Sequence, residues 1–279
     1  MNVAIQEMSM CSVEGGRLAY RRSGKGEPVV FVHGITSNSF IWLPVIPLLI
    51  DRWDVIAVDL LGCGASDRLE GADLSIRAHA VRLRDFVDSI GLDRFHLVGH
   101  DVGGGISQIF AVRNPDRLHS LTLVNTVAYD FWPVQPIIAV RTPFLRQLAM
   151  ATLDLGMLRL IVRRGLHHKD RLTAELLTKF HREVSAQESR RSFLRFTQCL
   201  DNTHLLEISE DLQKLGVPTL IIRGKQDVYL SAEISRRLHR EIPGSRLANL
   251  DAAGHFIQID QPQLLADHLK KHLSEASGG

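Results

Sequence analysis

Asp101 stands in a short pattern that could place a nucleophile on a sharp turn. The segment Leu97–Gly105 reads LVGHDVGGG, with the apolar run 95–98 leading into it and small residues of helical character leading out. A Gly-x-nucleophile-x-Gly sequence between a strand and a helix is typical of a nucleophile elbow, because side chains at Gly99 and Gly103 would collide in so tight a turn. Such a turn puts the central side chain at a helix N-terminus, where free N–H groups and the helix dipole favour an anion. We therefore predict that Asp101 presents a nucleophilic carboxylate.

A carboxylate favours a different electrophile from the one that a serine attacks. It needs no base to become nucleophilic, and its attack on an ester carbonyl would give an unfavourable mixed anhydride. Attack on a saturated carbon gives an ordinary alkyl ester on Asp101, and a histidine can then deprotonate a water molecule that attacks this ester. The residue type therefore predicts a two-step hydrolysis, provided that a histidine lies close by.

An acid and a histidine follow two later apolar runs and could complete this chemistry. Asp227 lies just beyond the run Val217–Arg223, and His255 lies a few residues beyond the run Arg246–Leu250. The carboxyl ends of parallel strands meet at one edge of a sheet, so we expect both side chains beside Asp101. A buried carboxylate fixes the tautomer of an imidazole and stabilises its protonated form. The alternatives are that Asp227 caps the following helix and that His255 is a structural polar residue.

The segments around these residues alternate between short apolar runs and helical patterns. The runs that predict strands buried on both faces are 29–32, 54–60, 95–98, 118–125 and 217–223. The clearest helix is Ser75–Ile90, whose apolar residues recur three and four apart, with Ser75 as N-cap and Gly91 as stop. Strands that alternate with helices at this spacing favour an α/β fold with a mostly parallel central sheet flanked by helices.

Residues 127–210 break this alternation, because no strand pattern appears and arginine and helix-forming residues dominate. We predict an inserted helical cap (lid) over this range, with Pro133, Pro136 and Pro143 at its start. The core domain would then comprise residues 1–126 and 211–279. Pockets form preferentially between such parts of a protein, so we expect the substrate to bind between cap and core.

Composition argues against several classes of partner and cofactor. The chain has 279 residues, a hydrophobic fraction of 45% and a net charge of +2, which argues against nucleic acid as the principal partner. The longest apolar run, 40–50, is too short to span a bilayer. The N-terminus lacks a signal-peptide pattern, and the three cysteines are widely spaced, which fits free thiols in a reducing compartment. His167-His168 has no zinc-ligand spacing with a Cys or Glu. We expect a cytoplasmic protein without a metal, cofactor, nucleic-acid or membrane partner, and a homodimer is left open.

Five linked motifs give the chain a resemblance to the α/β-hydrolase superfamily over nearly its whole length. They are His33-Gly34, 59–66, the elbow 99–103, 224–227 and Gly254-His255-Phe256. The order nucleophile, acid, histidine is the order of that fold. An aspartate at the elbow narrows the resemblance to the branch of epoxide hydrolases and haloalkane or haloacetate dehalogenases.

The resemblance implies a role for each residue of the candidate site. It implies a cofactor-independent hydrolase with Asp101 as nucleophile, His255 as the base for water and Asp227 as the orienting acid. The backbone N–H groups of Ile35 and Val102 would form the oxyanion hole. Asp130, after the sixth strand, is an alternative acid, as in some dehalogenases.

The sequence departs from each pattern within this branch. Val102 stands where haloalkane dehalogenases usually have an aromatic residue and haloacetate dehalogenases usually have arginine, and Thr36 stands where epoxide hydrolases usually have proline. We favour an epoxide hydrolase, in which Tyr129 with a histidine of the cap protonates the epoxide oxygen. The first alternative is a haloalkane or haloacid dehalogenase of the same mechanism, in which Trp132 and one more donor hold the halide.

Several side chains are candidates for contact with a small, mostly apolar substrate. The candidates are His33, Tyr129, Trp132 and Tyr229, with His167, His168, His181 and His204 as further donors from the cap. Two other interpretations stay open. The chain could be an esterase or lactonase in which Asp101 acts as a base on water, or a ligand-binding relative that has lost turnover.

Overall fold

The central sheet has the strand order β1-β2-β4-β3-β5-β6-β7-β8 within the residues that the computed structural model describes, which are 8–133, 137–142 and 156–278. The strands are β1 Ser9–Val13, β2 Gly16–Ser23, β3 Glu27–Val32, β4 Trp53–Val58, β5 Phe95–Asp101, β6 Leu118–Thr126, β7 Thr219–Gly224 and β8 Arg246–Leu250. β1 pairs with β2 and β2 with β4 in antiparallel fashion, and every other pair is parallel. The predicted α/β class with a mostly parallel sheet is confirmed.

Both faces of this sheet are covered. On β3, Val30 and Val32 belong to one hydrophobic cluster, whereas Val29 and Phe31 belong to the other. All four side chains are fully buried, which is why β3 is a continuous apolar run and not an alternating one. β5 pairs with β3 on one side and β6 on the other, so its last residue, Asp101, stands at the end of a strand that is fixed from both sides.

The helices connect and cover these strands. They are α1 Ile76–Ser89, α2 Val102–Arg113, α3 Ile137–Arg141, α4 Leu158–Gly165, α5 Ala174–Ser185, α6 Gln187–Cys199, α7 Thr203–Leu206, α8 Ser209–Leu212, α9 Ala232–Glu241, α10 Ile257–Asp260 and α11 Pro262–Ser277. The helix predicted over 75–90 is α1, and Ser75 caps it by accepting a hydrogen bond from Ala78 N at 3.2 Å. Across the described ranges, no helix combines the length and apolarity needed to cross a membrane.

The chain between β6 and β7 forms helices α3–α8 in the described residues. This helical insertion occupies the interval in which the sequence predicts a cap. Pro136 and Pro143, at the predicted start of the cap, lie outside the described residues.

Two side chains of the helical insertion fix it to the segments that follow β3, β4 and β8. Phe180 on α5 is fully buried and packs edge-on against Phe40 and Phe256, with ring centroids 5.0 and 5.1 Å away. On the same helix, the Glu183 carboxylate accepts hydrogen bonds from the Asn38 amide at 2.7 Å and from the backbone N–H of Gly64 at 3.0 Å. The insertion is therefore held both by aromatic packing and by a buried polar contact.

Candidate active site

Asp101 occupies a sharp turn between β5 and α2. Its backbone has φ 53° and ψ −122°, in a region that non-glycine residues adopt only where the surroundings enforce it. The neighbouring glycines allow the turn to form. A Cβ at Gly99 would collide with the Ser107 hydroxyl, and one at Gly103 would collide with the His33 carbonyl. The geometry expected of a nucleophile elbow is thus present around an aspartate.

A backbone N–H group holds one oxygen of the Asp101 carboxylate. Ile35 N donates to Asp101 Oδ2 at 3.0 Å, and the Val102 N–H also stabilises the ionised carboxylate. Burial raises the pKa of Asp101 above its usual value, and His255 together with these two N–H groups opposes that rise. With Oδ2 held in this way, Oδ1 is the oxygen left to attack a substrate.

His255 and Asp227 form a buried hydrogen-bonded pair. His255 Nδ1 lies 3.0 Å from Asp227 Oδ2, while Asp227 Oδ1 accepts hydrogen bonds from Tyr229 N at 2.8 Å and Leu230 N at 3.1 Å. These contacts place the imidazole proton on Nδ1 and leave Nε2 as the basic atom.

The two members of this pair shift each other's pKa. Burial alone would lower the pKa of His255, but Asp227 and then Asp101 outweigh it, so the pKa of His255 lies above its usual value of 6.5. Burial likewise opposes ionisation of Asp227, and the charge and hydrogen bond of His255 outweigh it, so the pKa of Asp227 is lowered. The pair can therefore accept a proton on His255 while Asp227 stays ionised.

Asn125, which sequence reasoning missed, helps to fix the loop that carries His255. Asn125, at the end of β6, donates to the carbonyls of Gly254 at 2.9 Å and His255 at 2.8 Å, and accepts from Gly224 N at 3.0 Å. His100 Nε2 lies 3.0 Å from the same His255 carbonyl. Asn125 also has a left-handed φ of 37°. The available sequence signal was a short polar residue at the end of an apolar run.

The structure does not support the substrate contact expected for His33. Its side chain is fully buried, Nδ1 donates to Gly34 O at 2.8 Å, and Nε2 accepts from Leu60 N at 2.9 Å. Both ring nitrogens are thus used by the backbone. Through its bond to the Gly34 carbonyl, His33 holds the turn that passes next to Asp101. This turn is so close that a Cβ at Gly34 would lie 2.6 Å from Asp101 Cβ.

The two candidate tyrosines differ in how their hydroxyls are used. Tyr229 packs edge-on against His255, with ring centroids 5.3 Å apart, but its hydroxyl donates to Ile161 O at 2.6 Å. Tyr129 lies against α9, with the guanidinium carbon of Arg237 3.8 Å from its ring centroid, and burial followed by Glu241 raises its pKa. Its backbone has a left-handed φ of 55°, and its buried hydroxyl has no hydrogen-bond partner within the described residues, so a role for Tyr129 as an acid stays a prediction.

Of the other candidates, Trp132 keeps an unused donor. Its side chain is buried, and its indole N–H has no hydrogen-bond partner in the described part of the chain. Asp130 is exposed, and the acid bonded to His255 is Asp227. No three His, Cys, Asp or Glu side chains within the described ranges are grouped so that they could hold a metal ion.

Known proteins resemble this chain over most of its length. Residues 27–262 match the family model described as alpha/beta hydrolase fold. The chain is 32% identical over 262 residues to haloalkane dehalogenase 2 of Mycobacterium tuberculosis (strain ATCC 25618 / H37Rv), covering 90% of this chain and 89% of that protein.

Two further proteins widen the comparison. The chain is 29% identical over 286 residues to cis-3-alkyl-4-alkyloxetan-2-one decarboxylase of Shewanella oneidensis, covering 95% of this chain and 87% of that protein. The structure of the epoxide hydrolase CorEH matches with a TM-score of 0.83 and 22% identity, covering 96% of this chain and 99% of the other. At that identity, the likeness to CorEH concerns the fold alone.

The elbow around Asp101, the sheet order and these matches agree with the resemblance expected from the sequence. The chain belongs to the α/β hydrolase fold family and is a hydrolase related to the haloalkane dehalogenases.

Proposed function

We propose that this hydrolase opens a small, mostly apolar electrophile by attack of Asp101 on a saturated carbon. The observation that carries the proposal is the pairing of a buried carboxylate, held at Oδ2 by Ile35 N, with a His255–Asp227 pair in the same site. A serine at this position would need His255 to activate it, whereas Asp101 leaves His255 for water.

The reaction would run in two balanced steps. Asp101 Oδ1 bonds to the carbon as the carbon–leaving-group bond breaks, which gives an alkyl ester and a departing anion. Water then attacks the ester carbonyl carbon and transfers a proton to His255 Nε2. Negative charge develops on Oδ2, to which the Ile35 N–H already donates, while the Val102 N–H also stabilises charge on this carboxylate. Collapse releases the alcohol with the proton from His255. The second proton of the water leaves to solvent, which restores the Asp101 carboxylate and balances the charge of the departed anion.

The needs of the leaving group distinguish the two candidate activities, an epoxide hydrolase and a haloalkane dehalogenase. An epoxide oxygen needs a strong proton donor. Of the two candidate tyrosines, Tyr229 donates its hydroxyl to Ile161 O, and Tyr129, whose hydroxyl has no partner within the described residues, packs its ring against Arg237 on α9. A halide needs only weak donors, and the free indole N–H of Trp132 is one. With the relation to haloalkane dehalogenase 2, these features support an alkyl halide over an epoxide as the substrate class.

We propose in addition that the helical insertion covers Asp101 as a cap. Phe180 fixes it against Phe256, directly after His255, and Glu183 fixes it to Asn38 and Gly64 of the core. A covered site would exclude bulk water from the alkylation step.

The test is to trap the ester in a His255→Gln variant. After exposure to butyl bromide, hexene oxide or phenyl acetate, the intact mass would be measured and the modified peptide located. We expect a butyl group on Asp101 and free bromide. An adduct equal to the whole epoxide would transfer the proposal to an epoxide substrate. No adduct from any probe, with an active wild type, would refute covalent catalysis.

Oxygen labelling separates a nucleophilic Asp101 from one that acts as a base. In a single turnover in ¹⁸O-water, attack on the ester carbonyl puts the label into the Asp101 carboxylate. If Asp101 only activated water, the label would appear in the alcohol and none in the protein.

A further inference from the structure

Another buried carboxylate, Asp260, lies behind the loop that carries His255. It is the last residue of α10 and is fully buried. Its oxygens accept three backbone hydrogen bonds: Oδ2 from Gly254 N at 2.7 Å and from His167 N at 2.8 Å, and Oδ1 from His168 N at 2.8 Å. Within the described residues it forms no ion pair, so these N–H groups are what stabilise its charge.

These three bonds join two distant segments of the chain. Gly254 directly precedes His255, whereas His167 and His168 closely follow α4 of the helical insertion. A fourth bond runs beside them, because His255 N itself donates to Gly165 O at 2.7 Å. The backbone of the proposed base is thus bonded to the helical insertion both directly and through Asp260.

The acid of the pair is attached to the same segment. The Tyr229 hydroxyl, two residues beyond Asp227, donates to Ile161 O on α4 at 2.6 Å. The two loops that supply His255 and Asp227 therefore both rest on residues 161–168. Movement of this segment would displace the imidazole relative to Asp101, which stands on β5 and makes none of these contacts.

We propose that Asp260 is a positioning residue for the second step of the reaction. It holds Gly254 and residues 167–168 together, and thereby sets the distance from His255 Nε2 to the water that attacks the ester. Alkylation of Asp101 does not use His255, so Asp260 has no part in the first step. This inference rests on the proposed function, and it assigns to Asp260 a selective effect on ester hydrolysis.

The chemistry of the site explains why a carboxylate is needed. Two oxygens can accept all three N–H bonds, whereas an amide of the same shape has one oxygen and one NH₂ group. In Asp260→Asn, the amide oxygen can serve Gly254 N and His167 N, and the NH₂ then opposes His168 N–H. The variant keeps its shape but loses one contact and the charge.

The experiment measures the two steps separately with butyl bromide as the probe. Bromide release in the first turnover reports alkylation, and the intact mass during steady turnover reports accumulated alkyl-enzyme. For Asp260→Asn we expect hydrolysis to slow by about 10²-fold, the effect of displacing a reacting group by about 1 Å. The alkylation rate should be unchanged, kcat and KM should fall together, and the ester should accumulate as it does in His255→Gln.

Glu183→Gln is the matched control. Glu183 is also a buried carboxylate that joins the helical insertion to the core. Its partners are Asn38, Gly64 and, at 4.0 Å, the Arg68 guanidinium, and none of them belongs to the loop of His255. We expect this variant to lower the melting temperature without accumulation of ester. Gly254→Ala is a second test that leaves Asp260 intact, because the new Cβ would collide with Gly165 O and push the two segments apart. It should also accumulate ester.

The outcomes separate this inference from the proposed function. If His255→Gln traps the ester but Asp260→Asn and Gly254→Ala do not, positioning by this contact is refuted while the proposed function stands. If Asp260→Asn and Glu183→Gln slow both steps in proportion to lost folded protein, Asp260 is only structural. If His255→Gln never forms an ester, the proposed function itself fails.

Discussion

Replacement of Asp227 by asparagine should separate the two steps of the reaction. Asp227 Oδ1 is held by the N–H groups of Tyr229 and Leu230, so the amide oxygen of the variant will take that place. Its NH₂ group then occupies the position of Oδ2, 3.0 Å from His255 Nδ1. Since NH₂ can only donate, Nδ1 must accept, and the imidazole proton moves to Nε2. The basic atom that should face the water is lost.

The magnitude follows from comparable triads. A wrong tautomer with intact geometry lowers turnover by about 10⁴-fold in a serine protease, which corresponds to about 5 kcal/mol of activation free energy. Here we expect that loss in hydrolysis of the alkyl ester alone. Loss of the Asp227 charge also removes one cause of the raised pKa of Asp101, so alkylation by the carboxylate should be undiminished.

Rapid-quench intact mass spectrometry with butyl bromide measures both steps. The expected record is one fast equivalent of bromide, a stable alkyl-enzyme and almost no alcohol. Asp130→Asn serves as the control, because that exposed carboxylate is not bonded to His255, and it should behave as the wild type. Equal loss of both rates in Asp227→Asn, or unimpaired hydrolysis, would refute the assignment of Asp227 to the histidine.

Three further predictions test other parts of the structure. Hydrolysis of the ester should fall as the pH drops through the raised pKa of His255, because only neutral His255 accepts a proton. In Asp227→Asn this acid limb of the pH profile should move to lower pH. A pH profile of single-turnover rates checks this, and an unmoved limb would contradict it. Phe180→Ala should lower the free energy of unfolding by about 3–5 kcal/mol through loss of a fully buried ring. Urea unfolding measures this change. A loss below about 1 kcal/mol, on the scale of a surface substitution, would show that the insertion does not depend on the Phe180 ring. Gly34→Ala should impair alkylation as well as hydrolysis, because its Cβ would lie 2.6 Å from Asp101 Cβ and 2.8 Å from Oδ2; burst kinetics would show both rates reduced, in contrast to Asp227→Asn.

The fold and the elbow were predictable because backbone constraints leave marks in sequence. Gly99 and Gly103 flank Asp101 at fixed positions since their missing side chains make the turn possible, and the buried strands read as unbroken apolar runs. The order of Asp101, Asp227 and His255 followed from the resemblance. The predictions of the strands and of the elbow needed only local spacing, and the meeting of the three residues needed the rule that parallel strands end at one edge of a sheet.

The side-chain contacts were harder to predict, because they depend on direction and on backbone partners. Tyr129 lies near the candidate site in sequence, but its left-handed backbone turns it against Arg237. His33 was expected to face a substrate, and two backbone groups occupy it instead. Asp260 bonds only to N–H groups, which every residue type except proline supplies, so no residue pattern marks its partners.

The pairing of β6 with β7 has a consequence for the order in which the active site is assembled. Leu121 pairs with Thr219, so this part of the sheet forms only after the whole helical insertion has been synthesised and looped out. Such long-range pairing slows folding more than it lowers stability, because the entropy of loop closure grows slowly with loop length. The strands that present Asp101 come before the insertion, whereas Asp227 and His255 come after it. A nascent chain folded only as far as β6 would therefore carry the nucleophile without its base, and an electrophile that reached it at that stage would leave an ester that the protein could not yet remove.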